Sequence, residues 1–121
     1  MAAMDNVNPQ QFFHASPHEF KPGDTLTPRG GMVAKYGEEG TAKREKLGYT
    51  DKHVYYADAG NLGESMLYGS HIYSVQPETK TGRAVTKHQP DPNYKDFGGG
   101  AYRTTGQLRV SHEVDEQGKA L

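Results

Sequence analysis

A chain of 121 residues has room for one domain. Its 14 Lys and Arg against 15 Asp and Glu leave a net charge of −1, with no electrostatic footprint for duplex nucleic acid. The lack of cysteine excludes disulfides and thiolate metal sites, and no stretch approaches the roughly 20 apolar residues of a membrane span.

Residues 1–10 are polar and read as an irregular N-terminus, without the basic start and apolar stretch of a signal peptide. The expected location is cytoplasmic, although a protein delivered by another machine would look the same. The single domain is expected over 11–121. Gln11 to Ala15 reads as a short strand, closed by Ser16-Pro17 and then by the turn Lys21-Pro22-Gly23-Asp24. Glycines make 28–40 a loop, and Thr41 to Leu47 a helical turn or two stopped by Gly48. Lys52 to Ala57 is a strand. Leu62, Met66 and Leu67 suit a short amphipathic helix within 58–69. Ser70 to Val75 is a strand halted by Gln76-Pro77, and 83–87 is a weaker one. Residues 90–100, with two prolines and three consecutive glycines, read as a loop, and 102–114 as one or two strands. The hydrophobic fraction is only 33%, but eight Tyr and four Phe supply the bulk of a small core. Mostly strands with one or two short helices is an α+β arrangement.

Familiar signatures are absent: the chain has no GxGxxG, no GxxxxGK[ST], no HExxH and no nucleophile elbow. His14 and His18 are four apart, but Pro17 between them prevents a helical metal pair, so no metal site is expected. What remains is a series of short segments: Phe12-Phe13-His14-Ala15-Ser16, Lys21-Pro22-Gly23-Asp24, His53-Val54-Tyr55-Tyr56-Ala57, Ser74-Val75-Gln76-Pro77-Glu78, Pro90-Asp91-Pro92-Asn93 and Ala101-Tyr102-Arg103-Thr104. Each also has an ordinary reading: a histidine at a strand end, a core tyrosine, an Asp that starts a turn, a solvent-facing arginine.

In their order and spacing, over about residues 11–114, these segments resemble the Arr family, the rifamycin-inactivating ADP-ribosyltransferases. The resemblance implies an ADP-ribosyltransferase-like fold of two short packed sheets with NAD in the cleft. It implies a catalytic set of His14, Tyr55 and Asp91, with NAD contacts from His14, Ala15, Ser16, Tyr55, Tyr68, Tyr102 and Arg103. The implied activity is mono-ADP-ribosyl transfer from NAD, as co-substrate, to a rifamycin-like small molecule or to a macromolecule such as a protein. Some positions depart from the family pattern. His-Gly-Thr becomes His14-Ala15-Ser16, the doubled Asp becomes Pro90-Asp91, an aromatic that is Trp in the family matches Tyr68, 79–89 is longer, and the C-terminal helical region has no counterpart.

The residue types suit that chemistry independently. Cleavage of the nicotinamide–ribose bond develops an oxocarbenium-like cation, as in glycoside cleavage, and a fixed carboxylate stabilises it. A Tyr ring attracts the cationic pyridinium, and a His bonds ribose hydroxyls or phosphates. The Glu-x-Glu or Gln-x-Glu turn of many toxin-type relatives is missing. Two other readings compete: a non-catalytic structural or partner-binding module on the same fold, such as a viral one, and a metal-dependent hydrolase using His and Asp.

Overall fold

In the computed structural model, residues 11–50, 52–61, 69–85, 94–98 and 100–121 are described. They form seven strands: β1 (Phe12–Ser16), β2 (Thr25–Leu26), β3 (Val54–Asp58), β4 (His71–Glu78), β5 (Tyr94–Gly98), β6 (Ala101–Thr104) and β7 (Gln107–Val114). One helix, α1 (Pro28–Lys46), follows β2, and a single 3₁₀ turn, Ala59–Asn61, follows β3. The fold is α+β and mostly β.

All seven strands join one antiparallel sheet in the order β2-β7-β4-β1-β3-β6-β5. Two separate packed sheets were the expectation; the strand that joins the halves is β1. It pairs with β4 along its whole length, Phe12 opposite Val75 through Ser16 opposite His71. On its other edge it pairs with β3 only at Phe12↔Asp58 and Phe13↔Ala57. Beyond Phe13 the β1–β3 ladder ends, so the sheet is continuous but has a seam at its centre.

Strand alternation sorts the side chains onto two faces. Phe12, Val54, Tyr56, Tyr73, Val75, Tyr102, Leu108 and Val110 form the main core, joined by Leu26 and the partly buried Phe20. The Phe12 ring meets Tyr56 and Tyr102 edge-on, with centroids 5.2 and 5.6 Å apart, an arrangement aromatic quadrupoles favour. The opposite face carries a smaller cluster of Phe13, Ile72 and Val114, with Ala15 against it. Tyrosine and phenylalanine therefore do the work that a leucine-rich core does elsewhere, at roughly 1.5–3 kcal/mol per fully buried large side chain.

Three elements depart from expectation. Residues 28–40 are not a loop: they are the first part of α1. Thr27 caps the helix, its hydroxyl accepting from the Gly30 N–H at 2.9 Å, and Pro28 occupies the first turn, where its missing N–H costs nothing. The glycines are tolerated because the helix is kinked, with Gly37 at φ 78°. Strand β4 does not stop at Pro77. That residue lies beyond the last β1 pair, Phe12↔Val75, so its missing N–H faces no β1 partner, and its carbonyl accepts from Val85 N–H at 2.8 Å. Residues 94–98, expected as loop, pair with β6 as strand β5, whose register shifts between Asp96 and Gly98. The stretch 83–85 contributes only an isolated bridge, Ala84 to Glu78. The helix expected within 58–69 falls largely on 62–68, outside the described residues.

Candidate functional site

The seam between β1 and β3 is where two of the sequence motifs, 12–16 and 53–57, meet. One residue past the end of the ladder, His14 directs its ring rather than its backbone across the gap, and Nδ1 lies 2.7 Å from the Tyr55 carbonyl oxygen. A carbonyl only accepts, so Nδ1 carries the proton and donates. In the neutral ring Nε2 is then left as an acceptor. His14 is half-buried. Burial holds its pKa below the ordinary 6.5, opposed by the hydrogen bond to the Tyr55 carbonyl. The imidazole is therefore neutral at physiological pH, and its tautomer is set by main chain.

Its expected companions are placed as follows. Tyr55 is half-exposed at 52%, and its ring stands 6.3 Å from that of His53. Arg103 lies directly across from it on β6. The His14 and Tyr55 side chains leave their strands on opposite faces: His14 shares a face with Tyr73, whereas Tyr55 shares one with Arg103 and Ala57. The structure thus brings His14 to the Tyr55 main chain, not ring to ring. A ligand touched by both side chains must lie across the seam.

Two expected NAD contacts are occupied by the fold. Tyr102 is fully buried, stacked on Tyr56 at 5.6 Å, and its hydroxyl donates to Asp58 Oδ2 at 2.9 Å. It is core, and its neighbour Arg103 is the member of that pair on the other face. Ser16 is buried, and its Oγ accepts from the His18 N–H at 3.1 Å, closing the turn into Pro17. Ala15 packs against Phe13, Ile72 and Val114, where its methyl group is part of the small cluster. Asp91 and Tyr68 lie outside the described residues.

Asp58 and Lys95 were not singled out by the motifs. Asp58 continues the alternation of Val54 and Tyr56 onto the core face and ends as the acceptor for Tyr102. Lys95 faces Arg103 from β5. No sequence signal marked it, because β5 itself was not expected. Charges from Arg103, Lys52 and Lys95 all act on His53, and with burial as the largest cause they lower its pKa.

Among the described residues, a pocket of about 500 Å³ opens elsewhere, lined by Gly69, Ser70, Ile72, Val114, Glu116 and Leu121 among others. It contains none of the motif residues. Among the same residues no group of three or more His, Asp or Glu is placed to hold a metal, and no helix is long and apolar enough to cross a membrane. In comparisons with known proteins, no family model, curated protein or solved structure matches the chain.

Proposed function

We propose that the protein is a mono-ADP-ribosyltransferase that takes ADP-ribose from NAD, with the β1–β3 seam as its site. The observation that carries this reading is His14: a neutral imidazole of fixed tautomer, held just past the end of the β1–β3 ladder by the Tyr55 carbonyl. Nε2 of His14 is suited to accept from a ribose hydroxyl. This narrows the role expected of it, since a ring whose only N–H is already engaged does not also donate to phosphate. The half-exposed Tyr55 ring would pack on the cationic nicotinamide, and Arg103 would face the phosphates. Asp91 supplies the carboxylate in this scheme. The C–N bond to nicotinamide breaks with its electron pair leaving on the nicotinamide nitrogen. The acceptor's lone pair then bonds the anomeric carbon, and the acceptor's proton passes to solvent or a base. The acceptor is a rifamycin-like small molecule or a macromolecule.

A second reading, a non-catalytic partner-binding module, is favoured by the opposite-face placement of the His14 and Tyr55 side chains and by the structural employment of Ser16 and Tyr102.

Incubation with labelled NAD, with and without rifampicin and with cell lysate, followed by mass spectrometry, separates the two. Transfer to any acceptor, or release of nicotinamide with water as acceptor, is the expected result. Asp91→Asn should then reduce kcat by roughly 10²-fold or more with a smaller effect on NAD affinity, the pattern for a group acting on transition-state charge. Asp96→Asn is the matched control and should change little. No turnover, with NAD binding weaker than about millimolar by calorimetry, gives the protein to the second reading.

A further inference from the structure

The sheet carries a second feature, which shares Tyr55 and Arg103 with the ADP-ribosyl reading but adds Lys52, His53 and Lys95, which that reading does not use. On the face opposite the main core, the cross-strand pairs Tyr55↔Arg103 and Lys95↔Arg103 align three side chains in a row over β3, β6 and β5. His53 lies two residues before Tyr55 on that face, and the two rings are 6.3 Å apart and tilted by 50°. Lys52 precedes it and is exposed, as is Lys95. The fields of Arg103, Lys52 and Lys95 converge on His53. In a chain with net charge −1, three cations are thus gathered around two rings, one of them half-exposed.

We propose that this row of Lys52, His53, Tyr55, Arg103 and Lys95 is a binding surface for single-stranded nucleic acid. Charge complementarity calls for a polyanion. The tyrosine set among the cations selects the kind, because stacking on an exposed ring needs a flat partner. A phosphodiester strand with unpaired bases offers both at once, the charges tracking its backbone and the rings taking successive bases. A duplex hides its base faces, and an anionic lipid surface or an acidic peptide brings charge without a comparable run of rings. The row is sequence-tolerant by construction: among its members only Arg103 presents the rigid fork that reads a base edge.

The test is fluorescence anisotropy with a labelled thymidine or uridine homopolymer, titrated at several salt concentrations. The same strand annealed as a duplex, and inorganic polyphosphate as a competitor, are the comparison arms. The expected result is binding of the single strand in preference to the duplex, weakening steeply with salt. Lys95→Glu, at an exposed position, should weaken it at least about tenfold and lower the salt slope by about one or more. Tyr55→Ala should weaken it by a similar factor, and Tyr55→Phe should restore it. Lys95 has no part in the NAD scheme, so Lys95→Glu with oligonucleotide binding lost and NAD handling intact supports this surface whether or not NAD is turned over. Three outcomes overturn the proposal: no binding at low salt, duplex bound as tightly as single strand, or polyphosphate competing as well as the oligonucleotide with Tyr55→Ala without effect.

Discussion

His14 is the residue whose chemistry is most sharply set by its surroundings. Its folded pKa lies below the ordinary 6.5, so between those two values the unfolded chain binds a proton that the folded chain refuses. Its contribution to stability is therefore complete above about pH 6.5 and is lost as pH falls from 6.5 through the folded pKa. Denaturant unfolding across that window should show a stability slope that His14→Gln flattens. An unchanged slope would mean that the ring takes up its proton without resistance. NAD binding, if it uses Nε2 as acceptor, should hold below pH 6.5 where an exposed histidine would already have lost it. At Tyr55, truncation to Ala should remove about 1–2 kcal/mol of NAD binding and leave the fold intact, while Phe keeps most of it. Calorimetry on the two variants decides, and normal NAD binding by a folded Tyr55→Ala protein would take the ring out of the site. The sequence motifs point to His14 and Tyr55 by residue type. They are silent on the contact between them, because its acceptor is a main-chain carbonyl, which leaves no trace in a side-chain pattern. They also pair Tyr102 with Arg103, although adjacent strand residues face opposite ways and only one of the two is outside the core.

Among the elements, β4 and β7 are locked at one end by a buried carboxylate. Glu78 accepts from Arg109 Nε at 3.0 Å and from Gln107 Nε2 at 2.9 Å. Burial pushes its carboxyl up, but the two hydrogen bonds and the Arg109 charge outweigh burial and hold it below the usual range. This clamp is therefore fully stabilising above the ordinary glutamate pKa and is lost as pH falls through the folded value. Glu78→Gln should erase that acid-side dependence, seen as acid unfolding curves of wild type and variant converging at low pH. The same corner needs Gly106: a Cβ there would overlap the Glu78 carbonyl oxygen, which is backbone and cannot yield. Gly106→Ala should cost about 3 kcal/mol, the upper end of what overpacking costs. Gly31 in α1 is the opposite case, with open space where a Cβ would go, so Gly31→Ala should raise stability by about 0.5–1 kcal/mol in thermal unfolding. That contrast explains how much of the fold could be read in advance. Strands β1, β3 and β4 show themselves by alternation. Helix α1 was concealed by glycines whose low propensity is offset by the Thr27 cap, Pro28 and the Gly37 kink. Strand β5 was concealed because the run of glycines after it reads as loop, while its pairing depends on β6, a neighbour that local pattern does not reveal.

For the molecule as a whole, the order of strands in the sheet differs sharply from their order in the chain. The first strand, β1, sits in the middle, and its neighbours β3 and β4 come from far downstream: Phe12 pairs with Asp58 on one side and Val75 on the other. The edge strand β2 waits for β7, with Leu26 opposite Leu108. This topology governs how the protein is made. As the chain leaves the ribosome, Phe12-Phe13 emerges ahead of the strands that bury it, and the central ladder closes only when β4 has followed. Contacts this distant place refolding in the slow, millisecond-to-second range of sheet proteins rather than the microseconds of helix bundles, measurable by stopped-flow dilution from denaturant. The same delay leaves an apolar strand unpaired in every newly made copy, so the yield of native protein should fall with concentration during refolding, through association of the β1 segments before their own partners arrive.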